Sequence, residues 1–165
     1  MDKHYYLISQ LPMLEFDRQS EMTIGLFTEE AQKWLRHADF IKLMHVYLFD
    51  TSHDDPGPGL LKRIKRFEYE FRNDLALWRR ARSEGEEYKP ESFSPTLLKD
   101  GNPLEIEKRL LMYRWDFIDH LEQDHHFDFS FLILYYLKLQ ILDKLSLFDQ
   151  ERGMDTFREI SRVRA

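Results

Sequence analysis

The chain has 165 residues, a formal net charge of −6 and no cysteine. The missing cysteines exclude disulfides, thiolate zinc sites and cysteine nucleophiles, and they fit a reducing cytoplasm. A chain of this length forms one ordinary domain that buries roughly two thirds of the surface exposed by its unfolded form. We therefore expect a single cytoplasmic domain over residues 1–165.

Neither export nor membrane insertion is indicated by the sequence. The first residues lack the basic stretch and apolar core of an export signal. The longest uninterrupted apolar run covers residues 131–137, far short of the roughly 20 residues that cross a bilayer. We expect no membrane-spanning segment, although the protein can lie beside a membrane protein.

The first third of the chain has weak periodicity. Residues 1–27 are expected to be irregular, apart from a short helix or extended piece at 5–11. Thr28, followed by two glutamates, predicts a helix start, because its hydroxyl can cap and acids complement the helix dipole. Apolar spacing up to residue 48 then predicts a helical hairpin or kinked pair. Prolines and glycines in residues 54–59 predict a loop.

A long one-sided helix is predicted over residues 60–83, because apolar residues recur there in alternating steps of four and three. It is the basic segment of an acidic protein, since residues 60–82 hold eight Lys or Arg against three Asp or Glu. Residues 84–101 contain two glycines and two prolines. They predict a long, mobile loop with at most one helical turn near residues 95–99.

Two capped helices are predicted in the last third. Asn102 precedes Pro103, a favoured pair at a helix start, and Asp128 precedes the most hydrophobic helix. Apolar residues of that helix point in nearly every direction over 129–142, which indicates burial. Gly153 is expected to end it before a short terminal helix. The predicted fold class is a single-domain all-α bundle, with this hydrophobic C-terminal helix at its centre and long antiparallel helices around it.

The basic helix presents a candidate partner-binding face opposite its apolar seam. One interpretation is a solvated face, because Glu68 lies one turn from two cations and can neutralise them. A docking surface for an acidic protein is the second. Nucleic-acid binding needs clustered cations, but it is disfavoured by the acidity of the whole protein. The candidate residues are Lys62, Arg66, Tyr69, Asn73 and Arg80.

A buried ion network is predicted where charges interrupt apolar faces. Glu107 and Arg114 fall within the apolar arc of the helix after Pro103, and Lys138 lies among apolar residues of the next helix. Unpaired charges in a core are costly, so we expect these groups to pair across helices, with Arg72 as a fourth member. Glu107 is expected to be ionised and paired, or else protonated with its pKa raised by burial. A structural role is favoured over proton handling.

No catalytic constellation is present in the sequence. Glu122 and His125 have the Glu-x-x-His spacing of di-iron bundles, but such bundles need two of these motifs and two further carboxylates. The histidines between His120 and His126 lie at a turn, where solvation alone explains polar residues. Serine elbows, phosphate loops and dinucleotide fingerprints are absent. We expect no catalytic residue, cofactor, metal or small-molecule substrate.

Several short motifs are distributed over most of the chain, although they skip residues 20–60. The motifs are Phe71-Arg72-Asn73-Asp74-Leu75-Ala76, Arg79-Arg80-Ala81, Asn102-Pro103-Leu104-Glu105 with Glu107, Arg114-Trp115-Asp116, Phe127-Asp128, Tyr136-Leu137-Lys138-Leu139-Gln140 and the opening His4-Tyr5-Tyr6-Leu7-Ile8-Ser9-Gln10-Leu11-Pro12. Together they resemble the bacterial family of unknown function encoded among V-type ATPase subunits.

The resemblance implies an all-helical accessory or connecting subunit of a bacterial V-type ATPase that translocates protons or sodium ions. Such a subunit is cytoplasmic, peripheral to the inner membrane, and binds other ATPase subunits. It is not an enzyme by itself. The alternative hypothesis is a free-standing helical regulator or nucleic-acid-binding module.

Overall fold

The computed structural model describes residues 3–50 and 52–163, and every regular element within them is a helix. The predicted all-α fold class is therefore confirmed. No helix in this part of the chain is long and apolar enough to span a membrane. The helices are α1 Lys3–Gln10, α2 Ile24–Trp34, α3 His37–Met44, α4 Leu60–Glu84, a 3₁₀ turn at Pro95–Leu97, α5 Pro103–Glu122 and α6 Phe129–Val163.

The chain forms two compact units. The first comprises the chain up to Leu48 and from Leu111 onward, and the second comprises Phe49–Leu110. Helix α5 therefore contributes its first turns to the second unit and the remainder to the first. The prediction of one domain over residues 1–165 stays a prediction, because compactness does not show whether either unit folds alone.

Helix α6 anchors the first unit. Helix α1 packs on α2, α2 packs on α3, and both α2 and α3 pack on α6. Phe27 is fully buried, with its ring 5.6 Å from that of Tyr136. The Gln140 amide donates to Val46 O and accepts from Leu48 N, both at 2.9 Å. These two hydrogen bonds hold the segment after α3 against α6.

Two predicted helix boundaries in the first unit are wrong. Helix α2 begins at Ile24, because Thr23 rather than Thr28 caps it by accepting from Leu26 N at 3.2 Å. Thr28 lies inside the helix and donates to Ile24 O. Helix α6 does not end at Gly153. A glycine ends a helix by adopting a left-handed conformation, and Gly153 is not among the positive-φ glycines.

The predicted helix starts of the last third are confirmed. Asn102 Oδ1 accepts from Glu105 N, and Asp128 Oδ1 accepts from Phe131 N, each at 2.9 Å. These side chains satisfy backbone donors that have no partner within the helix. The stretch of α6 from Leu132 to Ile141 is buried except for two half-buried residues, as its all-round apolar pattern predicts.

The second unit is built on α4. Its predicted bounds, residues 60–83, agree with Leu60–Glu84 within one residue. Gly85 ends the helix in the left-handed conformation, with φ of 73°, a role that glycine fills without steric cost. On the buried side of α4, the Phe71 ring meets the edge of Phe93 at 5.8 Å. The chain after α4 therefore packs against its buried side.

Candidate functional site

The candidate site is the outward face of α4, defined by Lys62, Arg66, Tyr69, Asn73 and Arg80. All five side chains are exposed, and Tyr69 is 72% exposed. Their spacing of three, four and seven residues keeps them on one side of a helix. That side lies opposite the buried residues Phe71 and Leu75. The structure thus brings the five residues together, and partner binding stays a prediction.

Two cations of the outward face are paired within their own helix. Arg66 Nε lies 2.8 Å from Glu70 Oε1, and Arg80 Nε lies 3.2 Å from Glu84 Oε1. The hydrogen bond that Arg66 donates to Glu70 raises the pKa of Arg66. Exposed ion pairs of this kind add little to stability. A carboxylate on a protein partner can therefore replace Glu70 or Glu84 at small cost.

Asp74 holds the chain after α4 against the helix. The carboxylate is buried and accepts from Tyr88 Oη at 2.6 Å, Ser92 N at 2.8 Å and Ser92 Oγ at 2.6 Å. Burial alone would raise the pKa of Asp74, but these hydrogen bonds outweigh it and lower the pKa below its usual value. In return, the hydrogen bond to Asp74 raises the pKa of Tyr88 to about 12.

The chain before α4 is held by Lys65. Its ammonium donates to Ser52 Oγ at 3.0 Å and to Asp54 O at 2.5 Å. Seven residues further along α4, or about two turns, the Arg72 guanidinium lies 5.5 Å from the centre of the Phe49 ring. Lys65, Arg72 and Asp74 are half-buried or buried, in contrast to the exposed residues of the outward face. They fix α4 within its unit while that face stays exposed.

Arg109 fixes the turn that precedes α5. Its guanidinium donates to the carbonyls of Leu97 at 3.1 Å and Lys99 at 2.6 Å, and also to that of Asp100. Gly101 beside it has φ of 112°, and a Cβ there would collide with Glu105 Oε2 and Arg109. The mobility predicted for residues 84–101 stays a prediction, but hydrogen bonds to Asp74 and from Arg109 hold both parts of this segment.

Lys138 is buried and paired, as its position predicts, but its partners are different from those expected. Its ammonium donates to Asp119 Oδ1 and lies 2.5 Å from Glu122 Oε2. The Glu122 contact is an ion pair without hydrogen-bond alignment, because that oxygen is buried and receives no hydrogen bond from the described residues. The ammonium also lies 4.9 Å from the centre of the Trp115 ring, a favourable cation–π contact.

The predicted burial of Glu107 is wrong. Glu107 is exposed, and no residue of α5 before Leu110 is buried. Periodicity indicates which side of a helix faces the core, but not how far along the helix the core extends. Arg114 is buried as predicted, whereas Arg72 is half-buried and bonds Glu68 at 2.7 Å. The four predicted residues therefore do not form one buried network around Glu107.

Sequence reasoning missed the two acidic partners of Lys138. Asp119 and Glu122 lie one turn apart on α5, on the side that carries Trp115, and their spacing could have been recognised. Neighbouring carboxylates affect each other on this part of α5. The pKa of Asp116 is raised by burial and, to a smaller extent, by the negative charge of Asp119. The bond between Asp74 and Ser92 had no comparable signal, since it joins a helix to an irregular segment.

Within the histidine cluster at the α5–α6 turn, His125 supports the helix cap. His125 Nδ1 lies 2.7 Å from Asp128 Oδ2, and Asp128 is the residue that caps α6. Burial would raise the pKa of Asp128, but hydrogen bonds from His125 and Phe131 N outweigh it and lower the pKa. Within residues 3–50 and 52–163, no three His, Asp or Glu side chains are placed to hold one metal ion.

Fold and site together define an all-helical protein with one long helix whose outward face is exposed. A family described as a protein of unknown function, DUF2764, matches residues 92–163. This stretch contains α5 and α6, is less than half of the chain, and does not include the outward face of α4. The chain is thus similar to an uncharacterised family over its last helices. No curated protein and no solved structure shows a significant match.

Proposed function

We propose that this protein is a non-catalytic interaction subunit that binds an acidic surface of another protein through the outward face of α4. The observation that carries the proposal is the exposure of Lys62, Arg66, Tyr69, Asn73 and Arg80 on one side of a helix whose other side is fixed within its unit. Tyrosine and arginine are, with tryptophan, the residue types that are enriched at binding hot spots.

Each group on the face has a physical role in this proposal. Tyr69 supplies a large, exposed aromatic surface that a partner pocket can bury. Lys62 and Arg80 lie near opposite ends of α4, so that they can orient an acidic partner along the helix. Leu77, which is 41% exposed, adds apolar area beside them. The face therefore combines an aromatic anchor with charged residues around it.

The partner that we propose is a bacterial V-type ATPase, with this chain as a cytoplasmic accessory or connecting subunit. Support comes from the resemblance of the motifs at residues 71–81, 102–107 and 136–140 to the family encoded among V-type ATPase subunits. The DUF2764 match includes two of these three motifs and assigns no function. Motif 71–81 lies on α4, the helix that carries the outward face.

Native membrane fractions test this proposal. The tagged protein, solubilised with the membranes of its source organism under mild detergent, is expected to retain V-type ATPase subunits identified by mass spectrometry. Retention should fall as salt rises, because exposed charges contribute to the contact. Nuclease treatment should leave it unchanged. Salt-sensitive retention of nucleic acid without ATPase subunits would instead support the free-standing nucleic-acid-binding alternative and contradict the proposal.

A further inference from the structure

The end of α6 carries an apolar surface that the described residues of the first unit leave exposed. We call residues 147–163 the α6 tail. Five of its large apolar residues are between 48% and 87% exposed, whereas Phe148 is half-buried, and its described side chains from Asp149 onward are all exposed. A rise of about 1.5 Å per residue makes the tail about 25 Å long. The exposed apolar residues are Leu147, Met154, Phe157, Ile160 and Val163.

The spacing of these residues is that of a coiled coil. Leu147 and Met154 occupy position a of a heptad, and Phe157 occupies position d. Gly153 and Ile160 then occupy position g at one flank, while Glu151 and Arg158 occupy position e at the other. The remaining core positions are polar, because they hold Gln150 and Ser161.

From this pattern we infer that the α6 tail pairs with the α6 tail of a second copy of this chain in antiparallel orientation. Antiparallel pairing sets position a of one helix against position d of the other. It therefore places Met154 against Phe157 of the second copy and Gln150 against Ser161 of the second copy. The two-fold symmetry of the dimer repeats each of these pairs once more. The polar pair can hydrogen-bond within the apolar seam, and such a pair fixes the register of a coiled coil.

Charge complementarity selects the antiparallel orientation. In that register the two e positions face each other, so Glu151 of one copy meets Arg158 of the other, again twice. Both side chains are exposed in the single chain. In a parallel pair, position e faces position g instead, and Arg158 would lie beside Gly153. The opposite charges thus favour the antiparallel pair alone.

Gly153 supports the same register. A glycine inside a helix lowers its stability relative to alanine, yet α6 continues through Gly153. A Cβ at Gly153 would meet nothing within 4 Å in the single chain, so packing within the chain does not require glycine there. In the antiparallel pair Gly153 faces Ile160 of the second copy, and the missing side chain leaves room for Ile160.

Sedimentation equilibrium of the full chain tests this inference. The pairing surface is shorter than a standard interface, and we expect a monomer–dimer equilibrium with a dissociation constant on the order of 100 µM. Phe157→Asp should abolish the dimer while the helical circular dichroism is retained. At about ten times that concentration most of the chain would be paired, so a chain that is still monomeric there overturns the inference. A Phe157→Asp variant that dimerises as strongly as the wild type also overturns it.

A charge exchange distinguishes the antiparallel pair from any other contact. Glu151→Arg and Arg158→Glu should each weaken the dimer by about fivefold or more, because each sets like charges opposite each other twice. The double variant with both changes should restore wild-type dimerisation. Arg162→Glu, an equal charge change on the outer side of the tail, is the matched control and should have little effect. A double variant no stronger than the single variants would contradict this register.

Discussion

The two longest helices of this protein differ in how they divide their surface. In the first half of α6, between Leu132 and Ile141, eight of the ten residues are buried. Helix α4 instead buries only its seam, and its opposite side is exposed along the whole helix. The comparison separates two roles. The first half of α6 builds a core, whereas α4 stabilises its unit with one side and presents the other side to solvent.

This difference leads to a general expectation for substitutions. Changes in the first half of α6 should lower the free energy of unfolding and affect binding only through loss of folded protein. Changes on the outward face of α4 should affect binding and leave the free energy of unfolding unchanged. Single substitutions that break this division would show that the two helices do not have separate roles.

The largest effect is expected where α6 holds its buried cation. The double variant Asp119→Asn/Glu122→Gln leaves Lys138 buried without a carboxylate and should lower the free energy of unfolding by about 3–5 kcal/mol. Urea denaturation at neutral pH measures this change. Each single variant should lower the free energy of unfolding by less than half as much, because Lys138 keeps one carboxylate partner. The sum of the two single decreases should therefore be smaller than the decrease in the double variant.

Glu107→Gln is the control for that experiment. It makes the same chemical change on the same helix, but Glu107 is exposed. We expect a change within about 0.5 kcal/mol, as for most surface substitutions. A loss as large for Glu107→Gln as for the double variant would mean that the ionic contacts of α5 are assigned to the wrong residues.

Removal of an apolar side chain from the first half of α6 should give the next largest effect. Leu139 is 2% exposed, and truncation to alanine should lower the free energy of unfolding by about 2–5 kcal/mol. Leu147→Ala on the same helix is the matched control, because Leu147 is 48% exposed and should lose less than about 1 kcal/mol. Thermal or urea melts at low protein concentration compare the two. Equal losses would contradict the contrast between the two parts of α6.

The buried side of α4 should show an intermediate, pH-dependent effect. Asp74→Asn removes a carboxylate that accepts from Tyr88 and Ser92 and should cost about 1–3 kcal/mol near neutral pH. Because the folded pKa of Asp74 is lowered, the stabilising contribution is fully present above the unfolded pKa of about 3.9. It should be lost as the pH falls through the folded pKa.

Urea melts of wild type and Asp74→Asn from neutral pH to pH 2 follow this change. The difference between the two proteins should shrink only in the acidic part of the series. A difference that grows on acidification would contradict the lowered pKa of Asp74. Tyr88→Phe, which removes one donor and keeps the ring, should leave part of the effect in place.

The sequence was sufficient for the all-α fold class, for the bounds of α4 and for the caps of α5 and α6. Asn102 and Asp128 were recognisable because a cap depends on one side chain and the next three residues, a purely local relation. A threonine that could cap occurs twice near the start of α2, at Thr23 and at Thr28, and Thr23 is the one that accepts a hydrogen bond from the first turn. A helix start is therefore predictable where only one capping residue is available.

The pairing of buried charges was less predictable. The position of Lys138 among apolar residues correctly indicated a buried cation, but its partner depended on the packing of α5 against α6. Glu107 and Glu122 lie on the same helix, and the sequence does not show which end of that helix reaches the core. The prediction that Gly153 ends α6 was wrong for a different reason. A single glycine inside a long helix is tolerated when the flanking residues favour helix.

The measurement that tests the central claim most directly is the binding of outward-face variants to detergent-solubilised V-type ATPase. Lys62→Glu/Arg80→Glu reverses two charges on the face, and Arg63→Glu/Arg79→Glu reverses two exposed charges on the flanks of the same helix. The proposal predicts that the first variant loses binding by about tenfold or more, a change of about 1.4 kcal/mol, while the second binds nearly as well as wild type. Both should melt like the wild type. Equal binding of the two double variants to the ATPase would contradict the assignment of the partner surface to the outward face of α4.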